Sequence, residues 1–103
     1  MTLRYLVFDY SEDTGESGSF DAMASVLAPQ VAEVESEIAQ VLAWINVRFP
    51  GMQGPIEDSG EWDFDLHVIS ENDPVPRQTY SLVIAGTPTF CEAFQRKFQS
   101  AVV

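Results

Sequence analysis

The stretch Glu61-Trp62-Asp63-Phe64-Asp65-Leu66-His67-Val68-Ile69 decides the fold. Through His67 its even positions are apolar and its odd positions polar, the period of two that marks a strand with one buried and one wet face. Such a strand belongs to an antiparallel sheet covered on one side. Asn72-Asp73-Pro74-Val75-Pro76 follows and is a turn by composition. Residues 78–85, Gln-Thr-Tyr-Ser-Leu-Val-Ile-Ala, then read as the returning arm of a hairpin.

Helices flank this hairpin. Downstream, Thr87 and Pro88 suit an N-cap and a first helical position, and Phe90, Phe94 and Phe98 recur every four residues as a core face continued by Ala101 or Val102. Upstream, Pro29 opens a second helix and Pro50-Gly51 ends it. Between them Val31, Val34, Ile38, Val41 or Leu42, Ile45 and Phe49 form one apolar stripe, with Trp44 at its flank. Glu33, Glu35 and Glu37 lie in its N-terminal half, where the helix dipole favours negative charge.

Two more strands precede that helix. Residues 3–10, Leu-Arg-Tyr-Leu-Val-Phe-Asp-Tyr, read as a strand apolar on both faces, and residues 20–27 as its return. The order is ββαββα, and it implies one α+β domain over residues 1–103. The expected architecture is a two-layer sandwich, a four-stranded mainly antiparallel sheet with two helices on one face. A chain of 103 residues holds a single core.

Five bases stand against sixteen acids, a net charge of −11. The imbalance is uneven: residues 1–75 hold fifteen acids and two bases, residues 76–103 one acid and three bases. Nucleic-acid binding needs a basic stripe, and five scattered bases do not suggest one. Anionic membrane surfaces are disfavoured for the same reason. The partners implied are a basic protein surface or cations. No apolar run approaches the roughly 18 residues of a membrane helix, and no secretory leader is evident, so a cytoplasmic protein is expected.

Chemical motifs are sparse. Glu61, Asp63, Asp65 and His67 project from one strand face, about 6–7 Å apart in succession. Such a set can bind a cation or share protons, but it equally describes a solvated sheet face. If Phe8 and Tyr10 lie on the same face, the six residues form a candidate binding surface of aromatic anchors and polar groups, and a homodimer contact is possible there. Asp9, Ser11 and Asp13 have the spacing of a calcium loop, yet Thr14 and Phe20 occupy its obligatory Gly and Glu places. The lone Cys91 falls on the core face of the last helix and reads as a buried, inert thiol. Gly51-Met-Gln-Gly54 follows a helix in an acidic body and reads as a connector. No catalytic set, resident metal or cofactor is implied by these residues. The expectation is a non-catalytic binding protein (adaptor, inhibitor or immunity-like) engaging a basic surface. The alternative is a small dimeric enzyme or ligand-binding domain centred on Asp63, Asp65 and His67.

Overall fold

The computed structural model describes residues 3–12, 17–55 and 58–103. Its elements are β1 (Asp9–Glu12), β2 (Gly18–Leu27), α1 (Val31–Arg48), β3 (Trp62–Glu71), β4 (Arg77–Gly86) and α2 (Pro88–Lys97), so the expected ββαββα order holds. The four strands form one fully antiparallel sheet in the order β1-β2-β4-β3. The hairpin read from residues 61–85 is present, with Trp62 opposite Gly86 and Glu71 opposite Arg77.

Both helices cover the same face of this sheet. Phe20 of β2 meets Phe90 and Phe94 of α2, and the ring of Phe49, just beyond α1, reaches Phe90. From α1, Glu35 accepts a hydrogen bond from the Tyr80 hydroxyl at 2.8 Å. Val34, Ile38, Val41, Ile45 and Phe49 are buried, as are Phe90, Phe94 and Phe98. The Thr87 hydroxyl caps α2 by accepting from the Phe90 amide at 3.3 Å. The sheet end beneath the start of α2 is close-packed where two glycines face each other across β2 and β4: Gly18 pairs with Gly86. A Cβ at Gly86 would stand 2.3 Å from the Phe90 ring, and one at Gly18 would stand 2.7 Å from the Tyr10 ring. Only bare backbone allows that approach.

The first strand differs from expectation. Residues 3–8 do not join the sheet; pairing with β2 begins at Asp9, which faces Asp21. The segment runs over the helix layer instead, with Leu6 and Phe8 buried and the Phe8 ring edge-on to Phe94 at 5.2 Å. It buries one side there, Leu6 and Phe8, while Arg4 and Val7 face water, and that buried side gains the apolar contact of the helix layer. Its backbone donors find other acceptors. The Glu37 carboxylate takes the amides of Arg4 at 2.8 Å, Tyr5 at 3.1 Å and Leu6 at 3.2 Å. Phe8 then donates to the Ala101 carbonyl at 2.7 Å, and Val103 donates to the Phe8 carbonyl at 2.9 Å. A side-chain carboxylate and the C-terminal residues thus replace a sheet ladder.

Candidate functional site

Strand alternation divides the sheet cleanly. Phe20, Ala22, Ala24 and Val26 of β2 and Tyr80, Leu82 and Ile84 of β4 are buried beneath the helices. The intervening residues form the opposite face, which no described element covers. Register builds it in rows. Asp9, Asp21, Val83 and Asp65 stand side by side from β1 to β3. Ser11, Ser19, Ala85 and Asp63 form the row on one side of it, and Met23, Ser81 and His67 the row on the other.

Strand spacing puts Asp9 and Asp21 about 5 Å apart at the backbone and Asp21 and Asp65 about 10 Å apart. Like charges directly opposite on neighbouring strands disfavour the pairing. Exposed apolar groups lie among these acids: Met23 is 67% accessible, Ile69 57% and Val83 37%. At the far end Arg77 pairs in register with Glu71 and donates to the Ser25 carbonyl at 3.4 Å. The face therefore carries Asp9, Asp21, Asp63, Asp65 and Glu71 against one arginine.

Three of the six residues expected to share a surface do so. Asp65 and His67 are in contact, Nε2 to Oδ2, at 2.9 Å, with both side chains 70% accessible. Asp63 accepts from the Gln53 side chain at 3.1 Å and from the Phe64 amide at 2.9 Å, so its carboxylate is partly committed to local structure. Glu61 precedes β3 and turns to the helix end, where it accepts from the Thr87 hydroxyl at 2.6 Å.

Phe8 and Tyr10 do not reach the open face. Phe8 is 0% accessible, inside the core. Tyr10 lies opposite Phe20 on the helix side, its ring 4.8 Å from that of Phe20, and its hydroxyl donates to Glu12 at 2.9 Å. The odd-even phase of β1 decides this: Asp9 points to the open face, so Tyr10 must point inward. Burial pushes the Tyr10 phenol above its usual range, and the Glu12 carboxylate adds to the shift. Burial likewise raises the Tyr80 phenol to about 12, with the Glu35 hydrogen bond in support. The Cys91 thiol is raised by burial as well, which keeps it protonated near neutrality and poor as a nucleophile.

Asp9, Asp21, Met23 and Val83 also lie on this face, outside the surface expected from the sequence. Their signal was present: Asp21, Met23, Ser25 and Leu27 are the odd positions of a strand whose even positions are Phe20, Ala22, Ala24 and Val26. Among the described residues no group of three or more His, Cys, Asp or Glu is placed to hold a metal ion. Asp13 and Thr14 of the calcium-loop spacing lie outside the described residues. No helix among them is long and apolar enough to cross a membrane. No protein-family model matches the chain, and no curated protein or solved structure matches it either.

Proposed function

We propose that the open sheet face is a docking surface for a basic, partly apolar surface of another protein, and that this chain is a non-catalytic binding module. The observation that carries the reading is the row Asp9, Asp21, Val83, Asp65, flanked by exposed Met23. A face selected only for solubility intersperses both signs of charge. Here carboxylates gather around apolar groups at a cost in sheet stability, and departures from local consistency of this kind concentrate where function demands them. Lysines or arginines on a partner neutralise the carboxylates while its apolar groups cover Val83 and Met23. A second copy is the wrong occupant for this face, because it would set five carboxylates against five.

The alternative of an enzyme or ligand site on this face keeps the Asp65–His67 pair but loses both aromatic walls, since Phe8 and Tyr10 lie on the other side. The pair stands on an exposed strand, and no described element excludes water from it.

The test uses a defined probe, a peptide alternating Lys and Val, titrated into isotopically labelled protein. Amide shifts are expected at Asp21, Met23, Asp65 and Val83. Affinity should fall steeply as salt rises from about 0.05 to 0.3 M, where exposed charges are screened. The Asp21→Lys/Asp65→Lys variant should fold and lose binding about tenfold or more. Shifts confined to the helix side, or an affinity indifferent to salt, would reject the docking surface.

A further inference from the structure

On the far side of the molecule the charge reverses. The C-terminal half of α1 and α2 run in opposite directions, leaving a hollow of about 320 Å³ lined by Trp44, Arg48, Ala93, Arg96 and Lys97. A second hollow of about 200 Å³ continues from it, lined by Arg48, Thr89, Glu92, Ala93 and Arg96. Three of the chain's five bases are therefore collected in one groove of a protein carrying −11 overall.

A simple rival explanation is that bases sit in the last turns of helices to complement the dipole. Arg48 is in the last turn of α1, and Arg96 and Lys97 are in the last turn of α2. In an antiparallel pair those turns lie at opposite ends. Arg48 and Arg96 nonetheless line the same two hollows, because helical side chains lean toward the N-terminus and Arg96 reaches back along α2.

Among the described residues only one carboxylate answers these bases: Glu92 meets Arg96 at 2.9 Å. Among the described residues Arg48 and Lys97 have no ion-pair partner, and the Arg48 guanidinium is held over the Phe49 ring, 4.8 Å from its centroid. Trp44 walls the groove, its own ring braced edge-on by Phe98 at 5.4 Å and by Phe94 at 6.5 Å.

We infer that this groove binds the phosphate of a small phosphate monoester. Two guanidinium groups and one ammonium against one carboxylate leave an excess of about two charges, which matches a phosphate dianion and overcompensates a single carboxylate. The hydroxyl of Thr89 adds a donor at the groove's end. The surrounding negative charge restricts the ligand to a compact one, since an extended polyanion would meet the acidic body beyond the groove. Trp44 offers the ester's organic portion an apolar wall. This inference stands apart from the docking surface and does not depend on it.

The test titrates inorganic phosphate and phenyl phosphate into labelled protein, with potassium chloride at matched ionic strength as control. The Trp44 indole and the Ala93, Arg96 and Lys97 amides should shift, and the sheet-face amides should not. Arg48→Gln/Lys97→Gln alters two exposed side chains; it should keep the native circular dichroism and bind at least tenfold more weakly. Phosphate affinity unchanged in that variant, or equal shifts with chloride, would overturn the site. Should the double variant unfold, Arg48→Lys serves instead: it retains charge but loses the bidentate fork, and affinity unchanged in it overturns the site equally.

Discussion

The two faces of the sheet use the same four strands for opposite ends. Beneath the helices the row Phe20, Ile84, Phe64 belongs to the core: Phe20 and Ile84 are fully buried, Phe20 meets the rings of Phe90 and Phe94, and Phe64 stacks on Trp62. One residue along, on the other face, Asp21, Val83 and Asp65 stand in water. A single-residue step along each strand separates the part that holds the molecule together from the part that meets a partner. Substitution should therefore be costly on one face and nearly free on the other.

Phe94 gives the largest contrast. It touches Phe8, Phe20, Phe90 and Phe98, with ring centroids between 4.4 and 5.8 Å away. Phe94→Ala is expected to lose about 3–5 kcal/mol of unfolding free energy in urea titration, against no more than about 0.5 kcal/mol for Val83→Ala. Comparable losses at the two positions would deny that the sheet is covered on one side only.

Glu37 tests a second, subtler contrast, between a carboxylate committed to structure and those left for a partner. It is 7% accessible and receives three successive backbone amides. Glu37→Ala should cost roughly 1–3 kcal/mol by stranding those donors, while Glu37→Gln retains an acceptor and costs less. Hydrogen exchange at Arg4, Tyr5 and Leu6 should accelerate in the alanine variant. Unchanged protection there would show that the segment is held by its apolar side chains alone.

The smallest effect has the opposite sign. Asp21 lies directly across from Asp9, so Asp21→Asn should stabilise the fold by about 0.2–1 kcal/mol at low salt. The gain should shrink in about 0.5 M salt, where the Debye length falls below the separation of the two groups. A variant that gains stability while losing the basic peptide would show the acids to be kept for binding.

The hairpin of residues 62–86 and both helices were legible because each needs only one buried side, and a period of two or of 3.6 records it. Residues 3–8 were not legible as they stand. A run apolar on both sides has no phase, so a sheet strand and an extended segment laid against a helix layer give the same pattern. The acceptors that settle its course, Glu37 and the carbonyl of Ala101, lie roughly 30 and 90 residues away. Glu37 itself carried a clue, since Val34, Glu37, Ile38 and Val41 have the spacing of one helix face. Among the site residues, Asp63, Asp65 and His67 followed from alternation in β3. Asp9 and Asp21 joined them only through the strand order, which pairwise patterning leaves open.

The order β1-β2-β4-β3 bears on how the chain acquires its structure. The central ladder joins β2 to β4, with Leu27 opposite Arg77 and Gly18 opposite Gly86, so its loops span about 50–70 residues. Each hairpin nucleates locally and early, but the sheet stays split until β4 has emerged during synthesis. Until α2 follows, Phe8 has no ring to meet and Phe20 meets only that of Tyr10. The acidic strands waiting in that interval repel one another, and this same crowding of carboxylates guards a half-made chain against sticking to its neighbours.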